Sequence, residues 1–171
     1  TPEFGAGGNT TVNEVHGYTR NAFDPDRACG GSSGGSGVAL ACGMMPLCTG
    51  SDSGGSLRKP ATFSGVSAIR PTTGLVPSDK RGVGFTNLSV QGPMARTAED
   101  CALMLSIMAG NDTADPLSFN VDGADYRTVP EIDLTQLRVA ISVDFGWAPV
   151  EHGIRDTFEK RLARFQSIFK S

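Results

Sequence analysis

Histidine is almost missing from this chain, and so is any pattern of metal-ligating side chains. The two histidines, His16 and His152, lie far apart, and Cys29, Cys42, Cys48 and Cys101 show no CxxC spacing. A zinc site is therefore not expected, and no metal is assigned. The four cysteines read as half-buried thiols kept reduced, which predicts a cytoplasmic setting. Basic runs are absent too. The longest cationic cluster is Arg58-Lys59, and 18 Asp plus Glu against 15 Lys plus Arg leave a formal net charge of −3. That balance argues against nucleic acid as a partner. No uninterrupted apolar stretch approaches the roughly 20 residues that cross a bilayer, so no membrane partner is expected. The opening "TPEFGAGGNTT" has neither a charged n-region nor an apolar h-region. It also lacks an initiating Met and reads like a loop entered from elsewhere, so the 171 residues are expected to be a piece of a longer polypeptide.

What the chain has in quantity is glycine, 22 residues of it, concentrated in loops. Residues 1–35 are loop-dominated. "SGVALACG" then reads as a short helix ended by Gly43, and "MMPLCTGSD" as a short buried strand. "GGSLRKPATFSG" reads as a helical turn stopped at Gly65, and "VSAIRPT" as a strand cut by Pro71. Residues 72–95 are expected to be loop with one short strand. "TAEDCALMLSIMAGND" gives the clearest helix: Thr97 caps it, Glu99 and Asp100 suit its positive end, and Gly110-Asn111 ends it. Its Leu, Met and Ile positions are expected in the core. The acidic residues between 111 and 136 lack EF-hand spacing and read as a solvated loop. "LRVAISVDF" is expected to be the best strand, of the kind buried in a parallel sheet. After it, Ile154, Phe158, Leu162, Phe165 and Phe169 form one stripe of an amphipathic helix. Helix alternating with strand makes the fold class α/β, and the length favours one domain.

The chemistry must lie in "CGGSSGGSGVALACGMMPLCTGSDSGGSLRKPA", residues 29–61, where two serine loops are wrapped in glycine. Neither loop ends in Gly-Lys-Ser/Thr, so neither is a P-loop. "GGSSGGSG" does not follow a strand, as a dinucleotide fingerprint requires. "GGSSG" satisfies the nucleophile-elbow pattern G-x-S-x-G formally. Its acid and histidine would have to be Asp144 and His152, which stand too close together for that arrangement. A third scheme uses no histidine. A serine hydroxyl is a weak nucleophile and needs a base, and an uncharged lysine can serve through a second hydroxyl that relays the proton. Glycines around the attacking serine let consecutive N–H groups converge on one point as an oxyanion hole.

On these residues, and on "FSGVSAIRPTTGLVPS" and "LSVQGPMARTAEDCALMLSIMAG", the chain resembles the amidase signature family over residues 1 to about 120. The resemblance implies a mixed β-sheet flanked by helices on both faces, incomplete in this chain. Residues 1–171 would be the central part of one such domain, with the N-terminal, lysine-bearing part and the C-terminal part outside it. It implies amide hydrolysis through a serine acyl-enzyme. Ser56 matches the nucleophile and Ser32 the relay serine, whose peptide bond is expected to be cis. The N–H groups of Ser53, Gly54, Gly55 and Ser56 match the oxyanion hole. Asp52 and Arg58 match bracing residues, and Ser33 a supporting hydrogen-bonder. Ser51 and Ser53 stand where the family commonly has threonine. None of Lys59, Lys80, Lys160 and Lys170 matches the motif of the family's catalytic lysine. No cofactor is implied. The partners implied are a small-molecule amide and the remaining segments of the same polypeptide, and a homodimer is compatible. Two other readings stand beside this one. The first is the amidase-like subunit of a glutamyl-tRNA(Gln)/aspartyl-tRNA(Asn) amidotransferase, although that subfamily usually carries a different sequence just before "GPMART" than "FTNLSVQ". The second is a non-catalytic fragment or scaffold.

Overall fold

The computed structural model of the chain describes residues 8–79 and 85–169. The first seven residues of the lead-in stretch, Lys80 and Lys170 lie outside the described residues. The chain divides into two compact units, Thr1–Val129 and Pro130–Ser171.

The first unit opens with a short antiparallel pair, β1 (Val12–Asn13) and β2 (Gly17–Tyr18). Its centre is a three-stranded antiparallel sheet of β3 (Leu47–Asp52), β4 (Ser67–Ala68) and β5 (Val90–Ala95), in the order β3-β5-β4. β3 and β5 pair along their full length, from Leu47 opposite Ala95 to Asp52 opposite Val90. β4 is shorter than the expected "VSAIRPT" strand, and Pro93 supplies the reason. The Ile69 N–H donates to the Pro93 carbonyl at 3.2 Å, but proline has no N–H to return, so the ladder stops there.

α1 (Gly34–Ala41) starts at the first glycine-rich loop, and α2 (Arg58–Ser64) ends at Gly65 in the left-handed conformation. α1, α2 and the sheet meet on Leu40, Leu57, Ala61 and Met94. The two helices come close because Gly37 has no side chain: a Cβ there would stand 2.8 Å from Ser64 Oγ and 3.1 Å from the Pro60 carbonyl. α3 (Ala98–Met108) begins where expected, with Thr97 Oγ1 accepting from the Asp100 N–H at 3.1 Å. Its core face differs from the expectation. Cys101, Ala102 and Leu105 are buried, whereas Ile107 is 77% exposed and Leu103 38%. At 3.6 residues per turn these two fall on the face turned from the sheet. Leu105 joins Leu75 and Val76 in a second apolar cluster.

The acidic stretch after α3 is built from turns. Asp112 and Asp122 each accept the N–H two residues on, from Ala114 and Ala124, at 2.9 Å. Asp115 is buried, and its two oxygens accept from Leu117 N and Ser78 N.

In the second unit α4 (His152–Phe165) forms as the periodicity predicts. "LRVAISVDF" does not form a strand: residues 137–145 pair with no strand among the described residues, and Leu137, Val139 and Ile141 are exposed. A continuous apolar run becomes a buried strand only where neighbours complete its hydrogen bonds on both edges. The stripe on α4 is likewise open, with Ile154 and Phe165 more than half exposed. Phe158, Leu162, Phe165 and Phe169 line a groove of about 410 Å³ with Ala140 and Ile141.

Leu40 tests the first core. Leu40→Ala removes a side chain with no solvent exposure and should cost about 2–5 kcal/mol of stability. Ile107→Ala, on the open face of α3, should stay within about 0.5 kcal/mol. Urea unfolding of both variants measures the difference.

Candidate active site

β3 ends on Asp52, whose side chain is completely buried. Every lone-pair direction has a donor. Oδ1 accepts the Gly55 N–H at 2.7 Å and Arg58 Nη2 at 3.0 Å; Oδ2 accepts Arg58 Nε at 3.0 Å and the Leu57 N–H at 3.2 Å. Arg70 Nε stands 3.5 Å from Oδ1. Burial alone would push this carboxyl up. The Arg58 side-chain hydrogen bonds, the Gly55 and Leu57 N–H groups and the Arg58 charge outweigh it and hold Asp52 well below the usual carboxylate range. The result is a closed turn over residues 52–58 that carries Ser53, Gly54, Gly55 and Ser56. Gly55 sits at φ +104°, which a side chain would strain.

The first serine loop lies against this turn. The Gly31–Ser32 peptide bond is cis, and Ser32 is buried. The Ser33 N–H donates to the Ser56 carbonyl at 3.2 Å. Ser33 Oγ accepts from Ser51 N at 3.3 Å and faces the Ser51 carbonyl at 3.4 Å. Ser36 Oγ adds a bond to the Thr49 carbonyl at 2.9 Å. Such an approach requires bare backbone: a Cβ on Gly50 would stand 2.6 Å from Ser33 Oγ.

Ser32, Ser33, Asp52, Ser56 and Arg58 thus belong to one cluster. Of the four N–H groups expected to form the oxyanion hole, that of Gly55 is engaged by Asp52. Those of Ser53, Gly54 and Ser56 have no hydrogen bond among the described residues. Ser53 and Gly54 are exposed and Ser56 half-buried, so these groups face accessible space. Lys59 donates its Nζ to Asn9 Oδ1, with its aliphatic stem over Gly55. Lys160 lies in α4 of the second unit. Asp144 is not available as a histidine partner, because Arg155 holds it at 2.8 Å and keeps its carboxyl low.

Two residues of the cluster carry no signal in the sequence. Thr11 is buried, and its Oγ1 donates to the Gly30 carbonyl at 3.0 Å, faces the Ser32 carbonyl at 3.4 Å and accepts the Gly34 N–H at 3.1 Å. Arg70 brings the second cation to Asp52. Each is a lone polar residue in a loop, and only the fold brings it to its partner.

A sequence model of the family described as Amidase matches residues 1–167. An acylamidase of Rhodococcus erythropolis is 40% identical over 168 residues, which cover 98% of this chain and 35% of that protein. The amidase-like subunit of the glutamyl-tRNA(Gln) amidotransferase of Cupriavidus pinatubonensis is 49% identical, covering 94% of this chain and 35% of that protein. The crystal structure of a bacterial aryl acylamidase of the amidase signature enzymes superposes with a TM-score of 0.84 at 32% identity, covering 95% of this chain and 33% of that one. The chain therefore spans about a third of the length of the relatives it matches.

Asp52 gives a pH test. It titrates at about 3.9 when unfolded and lower when folded, so its stabilisation is complete above about pH 5 and is lost as the pH falls. Asp52→Asn should cost about 3–5 kcal/mol at neutral pH by leaving Arg58 and two N–H groups without their acceptor charge. Below about pH 5 the variant's unfolding free energy should fall less steeply than the wild type's, as read from urea midpoints at each pH.

Proposed function

The chain belongs to the Amidase family, and on that premise we propose that it carries the nucleophile and relay of an amidohydrolase acting on a small carboxylic amide. The observation that supports this most directly is the juxtaposition of the two serine loops, joined by the Ser33–Ser56 hydrogen bond and closed by Asp52.

On this reading Ser56 Oγ attacks the amide carbonyl carbon while its proton passes to Ser32 Oγ, and the Ser32 proton passes to a neutral lysine. The carbonyl oxygen becomes an oxyanion on the N–H groups of Ser53, Gly54 and Ser56, which carry no other bond among the described residues. The carbon–nitrogen bond then breaks, and the amine leaves with the proton returned through Ser32. Water hydrolyses the acyl-enzyme by the same path in reverse. The lysine comes from polypeptide outside these 171 residues, since Lys59 is bonded to Asn9. Asp52 and Arg58 hold the turn and stay outside the proton path.

The 49% identity to an amidotransferase component supports a second reading. There the same serine would be acylated by glutamine, and the ammonia released would serve a partner protein. Co-purification with partner proteins together with glutaminase activity separates the two.

A fluorophosphonate applied to the complete protein, followed by intact mass and peptide mapping, should give one adduct on Ser56. Ser56→Ala should give none, and Ser32→Ala should slow labelling by about 10²–10⁴-fold. Unchanged labelling of Ser56→Ala would overturn the assignment, and no adduct on the wild type would favour a non-catalytic scaffold.

A further inference from the structure

We infer that Thr11 is a positioning residue for the relay serine, fixing the 30–34 loop from the side opposite Ser56; the inference rests on the reading of Ser56 and Ser32 given above. One hydroxyl serves three backbone groups on both sides of Ser32: the Gly30 carbonyl at 3.0 Å, the Ser32 carbonyl at 3.4 Å and the Gly34 N–H at 3.1 Å. Thr11 is 2% exposed, so water does not take its place. Its own position is set by the Thr19 N–H, which donates to the Thr11 carbonyl at 2.9 Å.

The loop has no room to move toward Thr11. A Cβ on Gly34 would lie 2.2 Å from Thr11 Oγ1, and one on Gly31 would lie 2.6 Å from the Gly8 carbonyl. On its other side the loop is tied to the nucleophile by the Ser33 N–H on the Ser56 carbonyl, 3.2 Å. Ser32 is thereby held between two anchors. Segment 8–11 also reaches the nucleophile turn directly, through Asn9 on Lys59, whose stem covers Gly55. Relay through Ser32 needs its Oγ within about 2.6–3.2 Å of each proton partner. A loop freed on the Thr11 side keeps its fold but loses that register, and a displacement of about 1 Å costs on the order of 10²-fold in rate.

The test compares Thr11→Val, which keeps the shape and removes the hydroxyl, with Thr11→Ser, which keeps the hydroxyl, in the complete protein. In fluorophosphonate labelling the Ser56 Oγ–phosphorus bond forms, the phosphorus–fluorine bond breaks, fluoride leaves and the serine proton passes to Ser32. Thr11→Val should lower the saturating labelling rate about 10- to 100-fold, with the half-saturating probe concentration unchanged. Thr11→Ser should stay within about threefold of wild type. Amide exchange gives a readout that needs no activity: the Gly34 N–H should exchange about tenfold faster in Thr11→Val and remain protected in Thr11→Ser. Thr11→Ala is the second hydroxyl-free variant if Thr11→Val does not fold. Wild-type labelling by Thr11→Val, or equal slowing by Thr11→Ser, overturns the inference. If the wild type takes no adduct, the reading of Ser56 fails and Gly34 exchange decides: dependence on the Thr11 hydroxyl keeps Thr11 as the loop's anchor, and indifference removes it.

Discussion

The structure of the site depends on one buried carboxylate. Asp52 ends β3 inside the protein, where an unpaired charge would be costly, and its surroundings are arranged to answer it with two backbone N–H groups and two arginines. Those partners are also what bend the chain. Binding the N–H groups of Gly55 and Leu57 to one side chain folds residues 52–57 into a tight turn. The direction of the Ser53, Gly54 and Ser56 N–H groups follows from that turn. A motif that reads as nucleophile chemistry is, physically, first a solution to a buried charge.

The second constraint is distance. Two loops cannot approach with backbone hydrogen bonds between them unless intervening side chains are absent. The glycines at 31, 34, 37 and 50 each stand where a Cβ would meet a neighbour at 2.8 Å or less. Gly54, by contrast, would meet nothing within 4 Å. Its lack of a side chain leaves the space before its N–H open, which suits a substrate oxygen better than it suits packing.

The parts of the fold legible in the sequence were those with local causes. α3 could be read because Thr97 caps its own helix, and α2 because Gly65 stops it. The paired serine loops could be read because their glycine spacing is imposed by close contact. β5 was hard to place: "VQGPMA" contains Gly92 and Pro93, poor strand residues, and it pairs because the ladder to β3 outweighs local preference. Residues 137–145 failed the other way, since their composition asks for a sheet and no strand among the described residues pairs with them. Thr11 and Arg70 were illegible because a single polar residue in a loop has no periodicity. Their roles exist only once segments distant in sequence meet.

The residue after the nucleophile has its own mould. Gly50 and Gly92 are cross-strand partners, and a Cβ on either would strike the Leu57 side chain, at 2.7 Å and 2.8 Å. Leu57 is thus keyed into a notch made by two missing side chains on neighbouring strands. The three positions behave as one inherited unit: none can vary alone, because a larger residue in the notch expels Leu57 and a smaller one at 57 leaves a void beneath the turn. Anyone reshaping this site for a bulkier amide would find that wall immovable and would have to carve room from the exposed side of the turn, at Ser53 and Gly54.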